Sequence, residues 1–145
     1  MSYDLMIFDP DLAPAASKIA EWYGEVMDAN AESDDFAATF DPASGQSDRL
    51  RGFYDEMRAG FPAMNGPDAV GDDEVDNDKV TGYEFHPGFV YMDFRWSASE
   101  AAAEAVPALA RKHGLGLYDP QGETVVLPQG GPNVSRPWWR RLFGG

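Results

Sequence analysis

Val80-Thr81-Gly82-Tyr83-Glu84-Phe85-His86-Pro87-Gly88-Phe89-Val90-Tyr91-Met92-Asp93-Phe94-Arg95-Trp96 is the stretch whose reading decides the fold class. Residues 80–86 and 89–96 are rich in β-branched and aromatic side chains, and Pro87-Gly88 between them is the composition of a hairpin turn. On the second run Val90, Met92, Phe94 and Trp96 alternate with Tyr91, Asp93 and Arg95. Successive strand side chains point to opposite faces, so one face belongs to the core and the other is partly wet.

Upstream of the hairpin lies the densest acidic run, with Asp68, Asp72, Asp73, Glu74, Asp76 and Asp78. It reads as a solvated loop. Before it, Phe61-Pro62-Ala63-Met64-Asn65-Gly66-Pro67 is irregular, and Asn65-Gly66 signals a turn. Leu50, Phe53, Tyr54 and Met57 recur at helical spacing and predict a helix over 47–60, capped by Ser47 or Asp48 and ended near Gly60. Residues 30–48 form a polar connection. Ala16, Ile19, Ala20, Tyr23 and Met27 predict another helix over 14–29. Leu5-Met6-Ile7-Phe8 reads as a strand buried on both faces, closed by Asp9-Pro10.

Downstream, Ser97-Ala98-Ser99-Glu100 has the form of a capping box. The helix it opens runs to Lys112 or His113, with Gly114 as terminator and a kink expected at Pro107. Residues 115–118 and 123–127 make a last hairpin around Asp119-Pro120-Gln121-Gly122. The order strand, helix, helix, hairpin, helix, hairpin predicts an α+β domain over residues 1–128, with a mostly antiparallel sheet and helices on one face. A ferredoxin-like β-α-β-β-α-β arrangement with an extra helix in the first crossover fits this order. Residues 129–145 are a Pro/Gly-rich linker and a basic-aromatic tail, Pro137-Trp138-Trp139-Arg140-Arg141-Leu142-Phe143. The tail is expected to fold back, its arginines on the acidic surface.

Charge is the main functional signal. Residues 1–100 carry 22 Asp/Glu against 6 Lys/Arg, residues 101–145 carry 3 against 5, and the whole chain has a net charge of −14. Such a surface repels nucleic acid and anionic lipid and attracts basic protein. With 43% hydrophobic residues the chain is too apolar for a disordered acidic tail. No stretch is long and apolar enough to span a bilayer. The absence of cysteine and of a basic, apolar N-terminal leader suggests a cytoplasmic protein.

Chemistry-bearing motifs are scarce. From Asp72 the acidic run alternates like a calcium loop, but its sixth position is Asn77 and its twelfth is Tyr83, where Gly and Glu are needed. No metal-ligand spacing joins His86 and His113, and His113 suits a helix C-terminus. No G-x-S-x-G, Walker or dinucleotide-binding pattern occurs, so no catalytic residue and no cofactor are assigned. Carboxylates are so numerous that no pair stands out as catalytic.

Tyr3-Asp4-Leu5 opening a strand that ends in Asp9-Pro10, Trp22-Tyr23, Phe61-Pro62-Ala63-Met64-Asn65-Gly66-Pro67, Val80-Thr81-Gly82-Tyr83, Phe94-Arg95-Trp96-Ser97, His113-Gly114-Leu115-Gly116 and the Pro-Trp-Trp-Arg-Arg-Leu-Phe ending together resemble small bacterial proteins of toxin–immunity loci. The resemblance implies a non-enzymatic protein that binds and neutralises a cognate toxin domain. It transfers no site residues. The acidity independently favours a basic protein partner, with Asp72, Asp73, Glu74, Asp76, Asp78, Tyr91 and Asp93 as the expected contact surface. A ligand-binding or regulatory domain is the alternative, with a pocket lined by Trp22, Phe61 and Trp96. Oligomeric state is not fixed by the sequence, and pairing through the hairpin edge is allowed.

Overall fold

The computed structural model describes residues 2–32, 40–42, 46–71, 73 and 76–128. Asp72, Glu74 and the 129–145 tail lie outside the described residues. Five strands form one antiparallel sheet: β1 (Ser2–Phe8), β2 (Gly82–His86), β3 (Phe89–Arg95), β4 (Gly116–Asp119) and β5 (Thr124–Val126). Their spatial order is β2-β3-β1-β4-β5. With α1 (Ile19–Ala31), α2 (Asp48–Gly60) and α3 (Ser99–Lys112), the chain is an α+β protein. The first crossover carries α1 and α2 and the second carries α3. This is the expected β-α-β-β-α-β arrangement, lengthened by β5 beyond β4.

β1 is the central strand. It starts at Ser2, three residues before its apolar run, because β3 pairs with it from Ser2↔Arg95 to Phe8↔Phe89. On one face Tyr3, Leu5, Ile7, Val90, Met92 and Phe94 pack with Leu50, Phe53 and Met57 of α2 and Ala102, Val106 and Ala110 of α3. Those two helices share a face, as expected. α1 departs from the one-face arrangement. Its Ile19, Trp22, Tyr23 and Val26 pack on the opposite face, against Met6, Phe8, Phe89 and Tyr118. The reason is in the strands: β1 and β3 are apolar on both sides at one end, and that surface needs a second cover.

Local chemistry sets the helix ends. The Ser47 hydroxyl accepts from the Leu50 amide and caps α2. The capping box at Ser97 is not used. A 3-10 turn over Trp96–Ala98 leads directly into α3, whose N-cap is Ala98. That turn absorbs the residues that would have formed the box. α3 continues through Pro107 as one helix. It ends at His113, with Gly114 at φ +70° reversing the chain.

The free side of β2 is partly occupied. Thr81 bridges Ala63 in parallel, the Thr81 amide donates to Pro62 and the Met64 amide donates to Thr81. The Asn65 side chain accepts from the Tyr83 amide. The irregular Phe61–Pro67 stretch therefore takes up edge groups that a second copy would need.

Candidate functional site

The helix α1 face of the sheet is ordered in rows by its register. Phe8 lies opposite Phe89 and Gly116, Met6 opposite Tyr91 and Tyr118, and Asp4 opposite Asp93. On the outer side of β3, His86 pairs with Phe89, Glu84 with Tyr91 and Gly82 with Asp93. The face thus grades from an apolar row, through a tyrosine row, to an acidic row.

α1 covers the first two rows. The Trp22 ring meets Phe89 edge-on at 5.0 Å, and Tyr23 packs against Tyr118 at 5.3 Å and Tyr91 at 6.2 Å. At the far end of α1 the buried Asn30 donates to Glu84 Oε1 at 2.8 Å. Asp4, Tyr91 and Asp93 stay half-exposed. Gly82 makes room for this arrangement, because a Cβ there would collide with the Asp93 carboxylate.

Among the described residues no Lys or Arg pairs with Asp4, Glu84 or Asp93. The Ser2 hydroxyl donates to Asp4 at 2.9 Å. Arg95, one row further along the same face, donates to the Asn77 carbonyl at 3.2 Å. Burial first and the Asp4 charge second raise Asp93 above its ordinary value, with Glu84 adding to the effect and a hydrogen bond from the Gly82 backbone opposing it. The Tyr91 hydroxyl is raised by burial and then by Asp4. Tyr23 is pushed up to about 12 by burial, then by Asp4, Tyr118 and Glu84. The tyrosines stay protonated donors at neutral pH and leave the negative charge on the acids.

His86 is buried and stacked on Phe89 at 4.7 Å, its Nε2 3.9 Å from Glu84 Oε1. His113 lies elsewhere, joined to Glu56 at 2.9 Å between α2 and α3. Among the described residues no three His, Asp or Glu side chains are grouped to hold a metal ion.

Of the expected contact residues, Tyr91 and Asp93 sit in this face. Asp73, Asp76 and Asp78 are exposed on the preceding loop. The bond from Arg95 to Asn77 ties that loop to the strand bearing Asp93. Asp4, Glu84 and Tyr23 complete the face and were missed, because only the pairing of β1 with β3 brings Asp4 to Asp93. The expected pocket of Trp22, Phe61 and Trp96 does not form. Trp22 is on the α1 face, Phe61 packs on Phe94 in the opposite core, and Trp96 is exposed beside Tyr3. Tyr83 is buried, with its hydroxyl donating to the Phe61 carbonyl.

Compared with known protein families, curated proteins and solved structures, the chain matches none. No described helix is long and apolar enough to cross a membrane.

Proposed function

We propose that this protein is a non-catalytic binding module whose α1-side sheet face docks a basic protein surface. The observation that carries the reading is the facing pair Asp4 and Asp93, half-exposed and, among the described residues, without a Lys or Arg partner. Like charges directly opposite on neighbouring strands destabilise a sheet. A lysine or arginine of a partner would relieve that repulsion while its stem or guanidinium lies along Tyr91 and Tyr23. The exposed Asp73, Asp76 and Asp78 extend the negative field and would speed encounter. In the specific form favoured by the sequence, the partner is a toxin domain occluded in the cytoplasm by its immunity protein.

The test is parallel capture from native bacterial lysate by the wild-type chain and by an Asp4→Asn/Asp93→Asn variant. A single stoichiometric basic protein, retained by wild type, eluted by salt and lost to the variant, supports the reading. Toxicity of that protein when expressed alone supports its immunity form. Equal retention by both chains, or no stoichiometric partner, overturns it.

A further inference from the structure

The chain has asparagines at positions 30, 65, 77 and 133, and only Asn65 is followed by glycine. The Asn65-Gly66 pair lies in the Phe61–Pro67 stretch along the free side of β2. Both flanks of the pair are anchored. Ahead of it, the Thr81 amide donates to the Pro62 carbonyl at 2.8 Å and the Met64 amide donates to the Thr81 carbonyl at 2.9 Å. Behind it, Asp68 accepts from the Tyr54 hydroxyl and pairs with Arg58, both at 2.9 Å. Between these anchors Gly66 turns the chain at φ +80°, where a β-carbon is disfavoured. The alternation along β2 that turns the Thr81 amide outward to Pro62 also turns the Tyr83 amide outward. Asn65 Oδ1 accepts from it at 3.4 Å.

The same geometry leaves this pair open to reaction. Gly66 is exposed and carries no side chain to screen its nitrogen. Among the described residues its N–H donates to no acceptor, and neither does Asn65 Nδ2. Asn65 Oδ1 would take up negative charge if Cγ were attacked, and it already faces the Tyr83 N–H. The other described asparagines differ. Asn30 is buried, its Nδ2 is held by Glu84 at 2.8 Å, and Ala31 follows it. Asn77 Oδ1 takes the Lys79 amide at 3.0 Å, and Asp78 follows it.

We propose that Asn65-Gly66 is a self-modifying site whose isoaspartyl product releases the clasp on the outer edge of β2. The Gly66 nitrogen attacks Asn65 Cγ, and the new bond closes a succinimide ring. The Cγ–Nδ2 bond breaks, and Nδ2 leaves as ammonia with the Gly66 proton passed to it through water. Water then adds to one ring carbonyl and breaks that carbon's bond to the ring nitrogen. Opening at Cγ leaves aspartate at position 65. Opening at the Asn65 backbone carbonyl leaves isoaspartate, whose main chain runs through Cβ and Cγ. One water is consumed, one ammonia is released, and nothing is oxidised or reduced. Aspartate keeps an acceptor for the Tyr83 amide. Isoaspartate draws Cγ into the main chain, lengthens the span from Met64 to Asp68 by one carbon, and removes that acceptor. The β2 edge then presents an unpaired donor. The site does not depend on the function proposed for the acidic sheet face.

The experiment ages the full chain in heavy-oxygen water at neutral and mildly alkaline pH and follows each asparagine by peptide mass spectrometry. Asn65 should be lost well ahead of Asn30 and Asn77, faster at the higher pH, with one heavy oxygen in each product and isoaspartate among them. Urea too dilute to unfold the chain should leave the rate unchanged. Amide hydrogen exchange then reads the clasp. The isoaspartyl fraction should lose protection at Tyr83, as should freshly made Asn65→Ala, whereas Asn65→Asp should keep it. The proposal is overturned if Asn65 is lost no faster than Asn30 and Asn77, or if the product contains no isoaspartate. It is also overturned if the rate follows the unfolded fraction in dilute urea, which would assign the reaction to the unfolded chain. Undiminished protection at Tyr83 in the isoaspartyl fraction overturns it as well.

Discussion

Asp4 and Asp93 face one another across the two central strands on a single side of the sheet, and among the described residues neither pairs with a lysine or arginine. Asp93 is raised above its ordinary value of 3.8, chiefly by burial and then by Asp4. A carboxyl whose folded pKa is raised contributes stability that is fully present below its unfolded pKa. That contribution is lost as pH rises through the folded value. At neutral pH the ionised pair therefore opposes folding. Asp93→Asn is expected to raise stability at pH 7 by about 0.5–1 kcal/mol, the scale of a like-charge cross-strand pair. The gain should shrink toward zero in acid, where the wild-type carboxyl is protonated. Urea unfolding at both pH values checks this, and a variant less stable than wild type at pH 7 would sink it.

Gly82 and Gly116 are both sites where a side chain would collide, but with different neighbours. A Cβ at Gly116 meets the Phe8 ring, which is 1% exposed in the α1-side core. A Cβ at Gly82 meets the half-exposed Asp93 carboxylate, which can swing toward solvent. Gly116→Ala is expected to cost about 1–3 kcal/mol by overpacking, and Gly82→Ala less. Their thermal melts should separate in that order. Gly82→Ala should also weaken partner capture, because it displaces Asp93.

Gln121 takes the place of a missing strand pair. β4 pairs with β1 only from Met6↔Tyr118 to Phe8↔Gly116, so Asp4 lies beyond the last ladder position. There the Gln121 side chain accepts from the Asp4 amide at 2.7 Å and donates to the Asp4 carbonyl at 2.7 Å. Its amide nitrogen also donates to the buried Asp119 carboxylate. Gln121→Ala is expected to cost about 1–2 kcal/mol. Gln121→Glu should cost more, since it cannot donate and sets a carboxylate against Asp119. Urea midpoints should fall in that order with little change in slope.

The parts of this fold that depend on nearby residues were legible in the sequence. The hairpin around Pro87-Gly88, the apolar stripe of α2 with its Ser47 cap, and the reversal at Gly114 all formed as read. The two-sided burial of Leu5–Phe8 was also visible, and it is the reason α1 takes the second face. What was not legible depends on pairing between distant segments. Asp4 and Asp93 are far apart in the chain, and only the β1–β3 register makes them neighbours. Ser97 had the form of a cap, but the 3-10 turn at Trp96–Ala98 satisfies the helix entry differently. The acidic loop drew attention by density, whereas the sheet face matters because its charges are half-buried and face one another.

Glu56 ties α2 to the end of α3. Its carboxylate meets Lys112 at 2.8 Å and the His113 ring at 2.9 Å, and the absence of a side chain at Gly52 lets that ring lie close to α2. The Lys112 hydrogen bond lowers Glu56 below its ordinary 4.5 against an opposing desolvation, with the His113 hydrogen bond and both nearby charges assisting. A carboxyl with a lowered folded pKa contributes stability that is present above its unfolded pKa and lost as pH falls through the folded value. Glu56→Gln is therefore expected to lower the melting temperature at pH 7, with wild type and variant converging in strong acid. The pair is solvent-exposed, so the effect should be small and fade further in about 1 M salt, where the screening length is about 3 Å. Melting curves of both chains across pH, at low and high salt, test this directly. A difference that persisted in acid or survived high salt would mean that Glu56 acts through packing of its stem rather than through charge.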